Sequence, residues 1–162
     1  MKYALLSDIH SNLHALDACL AHAQQQGVDR IAVLGDLVGY GAFPVEVVTR
    51  CQEIAQGGGV VLRGNHEELI QSHSLNTPLA SQSLGGQTAE WTHEQLSPAQ
   101  RFWLEILPLT AQDDAVLFVH ASADAPERWR YVDDERIAAL SLNAACANPE
   151  MHYVFGGHVH HQ

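Results

Sequence analysis

The strongest constraint on this chain is a rhythm in which short apolar runs of strand length alternate with stretches of helical spacing. The first three runs are Tyr3–Leu6, Ile31–Leu34 and Val60–Leu62. Between the first two, Leu13, Leu16, Leu20 and Ala23 recur at helical spacing behind an N-cap at Ser11 or Asn12, and Gly27 stops the helix. Pro44 suits the first turn of a second helix, which should carry Val45, Val48 and Ala55 inward and end at Gly57-Gly58-Gly59. A β-α-β-α-β series implies parallel strands joined by right-handed crossovers, and wholly apolar strands imply a sheet covered on both faces. Farther on, Thr88–Leu96 and a segment from Ser97-Pro98 to Leu107 read as helices. Ala115–Val119 reads as a strand, Arg136–Ala147 as a helix and Tyr153–Phe155 as a last strand. With 162 residues and no repeat, charge block or low-complexity linker, the chain reads as a single α/β domain over residues 1–162.

The residues just beyond each strand carry the chemistry. The first run ends in Asp8-Ile9-His10, the second in Gly35-Asp36, and the third in Gly64-Asn65-His66-Glu67. The fourth ends in His120 and the fifth in Gly157-His158-Val159-His160. Each run thus delivers a metal-competent side chain at its C-terminal end, the edge where open α/β sheets build their sites. Asp8 and His10 are two residues apart, as are His158 and His160, a spacing that on extended chain turns both members to one side. The same parity argument favours His160 over His161.

Composition narrows the classes. The net charge of −11 argues against a partner gripped through a basic face, whether nucleic acid or anionic membrane. Histidine, at 11 residues, outnumbers lysine and arginine together, and imidazole is the commonest metal ligand. Three cysteines, Cys19, Cys51 and Cys146, are too far apart for a C-x-x-C site and read as buried thiols in a reducing, cytoplasmic setting. The apolar N-terminal run is too short for a signal peptide, and nothing approaches the ~18 apolar residues of a membrane span.

Asp8-x-His10, Gly35-Asp36, Gly64-Asn65-His66-Glu67, His120 and Gly157-His158-x-His160 resemble, in order, the motif series of the calcineurin-like metallophosphoesterases. The local style is similar to that of the small prokaryotic phosphoesterases. The resemblance implies a four-layer α/β/β/α sandwich with a dinuclear metal site at one edge. By that likeness Asp8, His10 and His160 hold one metal, Asn65, His120 and His158 the other, and Asp36 bridges them. His66 contacts the phosphate or protonates the leaving group. Relatives with these motifs continue well beyond the Gly-His-x-His element. The resemblance therefore implies a second sheet that is incomplete within these residues, or an edge covered by a partner.

Oxygen and imidazole ligands without thiolate suit two divalent ions such as Mn, Fe, Zn, Ni or Mg. Such a pair can bridge a hydroxide that attacks phosphorus in line, while Asp36 relieves the repulsion between the dications. The implied partner is a small phosphorylated substrate, a phosphomonoester or phosphodiester, and self-association stays open. Arg63 is a candidate phosphate clamp or the partner of an acidic neighbour, and Asn12 a candidate substrate contact or helix cap. Phosphoprotein phosphatases of the superfamily carry an arginine soon after the Gly-Asp motif. Here that place reads Leu37-Val38-Gly39-Tyr40-Gly41, which weakens the phosphoprotein and dinucleoside-polyphosphate readings. A non-catalytic binding module would show gaps in the ligand series, and there are none. His14, His22 and His93 read as solvated, and His73 as exposed or pocket-lining. Glu67 and Glu68 read as serving a helix N-terminus, Trp91, Phe102 and Trp103 as core rather than a base-stacking platform, and Arg128-Trp129-Arg130 as a solvated loop rather than a contact for a nucleotide-like substrate.

Overall fold

The computed structural model describes residues 1–72 and 83–161; His73 lies outside them. Strands β1 (Tyr3–Leu6), β2 (Arg30–Val33) and β3 (Val60–Val61) form a parallel sheet in the order β1-β2-β3. Helices α1 (Leu13–Gln25) and α2 (Pro44–Gln56) make the crossovers. Asn12 caps α1 by accepting a hydrogen bond from the Ala15 N–H at 3.1 Å, and Gly27 comes after the helix with φ +59°. On α2 the buried set is Pro44, Val47, Val48 and Cys51, whereas Val45 is exposed, so the inward face is rotated from the expected one. Cys19 and Cys146 are exposed, against the expectation of three buried thiols.

Helices α3 (Asn65–Ser72), α4 (Leu84–Gln95) and α5 (Pro98–Glu105) come next. Ser97 and Gln100 form a reciprocal capping box at the start of α5. His93, expected to be solvated, instead bonds the Ile70 carbonyl at 2.9 Å and ties α4 to α3. Trp91 and Phe102 are exposed rather than core, and Trp103 packs partly buried against the main cluster.

A second sheet, in the order β4-β5-β6, contains a strand that the apolar pattern does not announce, β4 (Thr110–Asp113). It pairs antiparallel with β5 (Val116–Val119), which pairs parallel with β6 (Tyr153–Phe155). A short 3-10 turn (Pro126–Arg128) and helix α6 (Glu135–Ala145) lie between β5 and β6.

Three apolar clusters define the layering. Leu16, Val33, Val48, Ile70 and Leu104 join the first five helices to one face of the first sheet. Ala32, Leu34, Leu62 and Phe118 lie between the sheets. Leu117, Ala145 and Met151 join the second sheet to α6. This is the α/β/β/α order. Asp113 on β4 accepts from Tyr3 Oη and pairs with Arg30, a polar clip across the two sheets.

Candidate metal centre

The site forms where the strands stop. Asp8, His10, Asp36, His158 and His160 all have left-handed backbone, with φ of 55°, 48°, 52°, 68° and 54°. Non-glycine residues adopt that region at a cost, which Asp and His bear better than most. The chain is therefore not extended at either Asp-x-His or His-x-His, and the parity argument does not apply as expected. Asp8, His10 and His160 bring ligand atoms within 4.8 Å of one another, and Asp36, His120 and His158 do likewise. Asp8 and His10 thus stay together, whereas His158 and His160 part to serve different groups. A third grouping, His10, Asp36 and His66, links the two.

The imidazoles are oriented by backbone carbonyls. A carbonyl only accepts, so the ring nitrogen facing it carries the proton and the other nitrogen is left free to ligate. His120 Nδ1 donates to the Leu34 carbonyl at 2.7 Å, and His10 Nδ1 to that of Val38 at 3.2 Å. His158 Nε2 donates to the Trp129 carbonyl at 2.9 Å, leaving its Nδ1 free. Trp129, with φ 50°, is thereby a site-building residue that sequence reasoning missed, since a carbonyl contact has no side-chain signature.

Asp36 Oδ2 stands 3.8 Å from His10 Nε2 and 3.4 Å from His120 Nε2. His120 Nε2 is also 3.2 Å from Asn65 Oδ1. Asp8 Oδ1 is buried, accepts no hydrogen bond and lies 3.2 Å from His160 Nε2, which is 3.4 Å from His10 Nε2. Lone pairs so gathered repel unless a cation or proton sits among them, and the donor set of oxygen and imidazole fits divalent transition ions or Mg. Burial pulls His120 down, yet the hydrogen bond and charge of Asp36 outweigh it and its pKa is raised. Burial pushes Asp36 up, but the His120 hydrogen bond and the charges of His120 and His66 bring it below its ordinary value.

His66 is buried, with Nδ1 unpartnered and its ring packed on His10 and Tyr40. Burial lowers its pKa from the ordinary histidine value, against the pull of the Asp36 charge. Gly35, at φ +100°, is required on two counts, since a Cβ there would stand 2.8 Å from His120 Nδ1.

Glu67 is the second residue missed. It is fully buried, and Oε1 accepts from the N–H groups of Leu37 (2.9 Å) and Val38 (3.2 Å). Oε2 accepts from Asp36 (3.0 Å) and Gly64 (2.7 Å). It stitches the Asp36 turn to the Gly64 turn instead of serving only its helix end. Burial and the Asp36 charge push its carboxyl up to about 7, against the pull of the Gly64 and Val38 N–H groups. The signal available in the sequence was two turns rich in orphan N–H groups with an acid three residues after the glycine of the second. Glu68, by contrast, is exposed and accepts from Trp129 Nε1.

Arg63 is not brought to the cluster: its guanidinium donates to the Glu105 carbonyl at 3.0 Å, at the end of α5. Asn12 caps α1, as one of its two expected roles had it, and also lines a cavity beside Asp8 and His10. His161 joins no ligand group among the described residues. Arg130 pairs with Asp124 at 2.9 Å.

The calcineurin-like phosphoesterase superfamily domain matches residues 1–162. Protein MJ0912 of Methanocaldococcus jannaschii is 34% identical over 134 residues, which is 80% of this chain and 53% of that protein. Phosphodiesterase YfcE of Escherichia coli is 27% identical over 144 residues, 79% of this chain and 73% of that one. A crystal structure of a metallophosphoesterase from Sphaerobacter thermophilus superposes with a TM-score of 0.78 at 35% identity, covering 99% of this chain and 60% of that one. The chain thus spans just over half the length of the first of these relatives. The family match over residues 1–162, with the two-sheet fold beneath it, makes this chain a member of the calcineurin-like phosphoesterase superfamily.

Proposed function

We propose that the chain hydrolyses small phosphomonoesters or phosphodiesters with two divalent cations. The observation that carries this reading is Asp36 Oδ2, set between His10 Nε2 at 3.8 Å and His120 Nε2 at 3.4 Å, as a carboxylate shared by two sites should be. Asp8, His10 and His160 would hold one cation, Asn65, His120 and His158 the other, with Asp36 common to both. When bound, such a pair supplies Lewis acidity toward the phosphoryl oxygens and activates water at neutral pH. The protein's own part is orientation. Leu34, Val38 and Trp129 fix the tautomers through their carbonyls, and Glu67 holds the two turns in register. His66, with Nδ1 unpartnered, faces the cavity it shares with Asn65 and Asp36, where it can contact the phosphoryl group or protonate the leaving group.

A phosphoprotein or polyphosphate substrate fits less well, since no Lys or Arg is among the described residues that line the cavities around the cluster. The test is metal content together with turnover of p-nitrophenyl phosphate and bis-p-nitrophenyl phosphate in Mn, Ni, Zn and Mg. Turnover with at least one ion is expected, and Asp36→Asn should lower occupancy and rate together. No turnover of either ester with any ion refutes the reading.

A further inference from the structure

Tyr40 is the residue that the metal centre does not account for. Its backbone sits in the left-handed region at φ 58°, a conformation that a bulky side chain adopts only when its surroundings impose it. Its ring packs on His10 and His66 at centroid distances of 4.9 and 4.7 Å, yet the residue stays 49% exposed. Its hydroxyl end reaches α4, lying 3.6 Å from where a Cβ on Gly85 would stand. It is therefore a shared wall of three cavities. One contains the candidate ligands, a second, of about 300 Å³, is lined by Tyr40, Ala42, Leu84, Gln87, Thr88 and Trp91, and a third lies beside Asn12 and Phe43.

This second cavity has the makings of a stacking site. Trp91 is 40% exposed on it, so two aromatic faces meet solvent beside a phosphoester centre. Large aromatics left open in this way mark recognition more often than packing. Gln87 and Thr88 add groups able to serve a ring with polar edges, which a hydrocarbon would not need. Neither this cavity nor the one with the candidate ligands is lined by Lys or Arg among the described residues, so nothing there neutralises a second phosphate. The group beyond the reacting phosphorus should therefore be planar, polar-edged and uncharged.

Building on the phosphoesterase reading above, we propose that Tyr40 and Trp91 form a subsite for the nucleobase of a nucleoside monophosphate ester. Base-on-aromatic stacking is worth about 1–3 kcal/mol per base, which sets the expected size of the effect at roughly tenfold.

The kinetic test compares thymidine 5′-(p-nitrophenyl) phosphate with ethyl p-nitrophenyl phosphate, which share a leaving group and differ only in the nucleoside. The ratio of their kcat/KM values should favour the nucleoside ester and fall about tenfold in Trp91→Leu. A binding arm reads tryptophan fluorescence of the metal-loaded protein. Adenosine 5′-monophosphate should quench it, ribose 5-phosphate should not, and Trp91→Leu should abolish the difference. Quenching without turnover of either diester, or of p-nitrophenyl phosphate, would sink the phosphoesterase reading and leave the subsite standing. A kcat/KM ratio unchanged in Trp91→Leu, or equal responses to the two phosphates, overturns the subsite. So does a ratio that falls only in Tyr131→Leu, because Tyr131 stacks on His158 on the far side of the centre.

Discussion

Replacing Glu67 by glutamine is the sharpest test of how the centre is held. The two side chains have nearly the same shape, but the carboxylate accepts two backbone N–H bonds on each oxygen, from Leu37 and Val38 on one and Asp36 and Gly64 on the other. An amide has one acceptor oxygen, so its NH₂ must face two N–H donors wherever it is turned. Two bonds to a charged acceptor are lost, each worth about 1.5–3 kcal/mol, for a total of about 3–6 kcal/mol. Against a net stability of about 5–15 kcal/mol this is a large fraction.

Urea unfolding of the metal-free protein, monitored by tryptophan fluorescence and far-ultraviolet circular dichroism, reads the loss. With a slope of about 2 kcal/mol/M it corresponds to a midpoint lower by about 1.5–3 M. The measurement belongs about one unit above the carboxyl's pKa, which burial and Asp36 push up to about 7, so that the carboxylate is ionised. Exposed Glu68, changed to glutamine, is the control and should shift stability by about 0.5 kcal/mol or less. Linkage supplies a second readout. A carboxyl whose pKa rises from 4.5 to about 7 on folding stabilises most below the lower value and loses that contribution as pH climbs to the upper one. Glu67→Gln should erase this slope. A variant within about 1 kcal/mol of the parent, with cation affinity intact, would refute the claim that Glu67 sutures the two turns.

Cation binding should release a proton near pH 6.5, because His120 has a raised pKa and must be neutral to ligate. Calorimetry in two buffers of different ionisation enthalpy should show that release, with affinity falling as pH falls, and identical enthalpies would contradict it. Asp113 is held below its ordinary value by the Tyr3 hydrogen bond, with the Arg30 charge adding to it, so its contribution is present at neutral pH and lost on acidification through the folded-state pKa. Asp113→Asn should therefore lower the melting temperature at neutral pH and converge with the parent in acid, as thermal scans at both ends would show.

The elements that the sequence declared are those whose burial is two-sided. Val33, Phe118 and Val119 sit in strands packed on both faces, and their apolar runs stand out for that reason. Strand β4 did not, because Thr110-Ala111-Gln112-Asp113 is a polar edge whose neighbours, not its composition, make it a strand. The site was legible at the level of which residues, since strand C-termini must converge in an open α/β sheet. How they divide was legible only through the family resemblance, which set His160 with Asp8 and His10 and His158 with His120, whereas spacing on an extended chain kept His158 and His160 together. That division depends on backbone angles in the left-handed region, which residue spacing does not encode. The roles of Glu67 and Trp129 were misread for a related reason: each acts through main-chain groups, Glu67 by accepting from backbone N–H groups and Trp129 by offering its own carbonyl.

Those left-handed residues bear on stability as well as on geometry. Five of the candidate ligands carry such backbone, at about 1–3 kcal/mol each where strained, and Asp and His lie toward the low end. The buried, unpartnered Oδ1 of Asp8 adds to the cost. A protein near the usual margin keeps such a cluster only if something in the working state repays it. Two bound cations would do so directly, and occupancy at about 100 times the dissociation constant would add about 2.7 kcal/mol per site. The same contacts that make the centre able to hold metal therefore make its folding depend on metal, and thermal stability should rise in step with cation concentration. A melting temperature indifferent to Mn, Ni and Zn would mean that the strain is balanced within the protein and that the cluster owes its shape to something else.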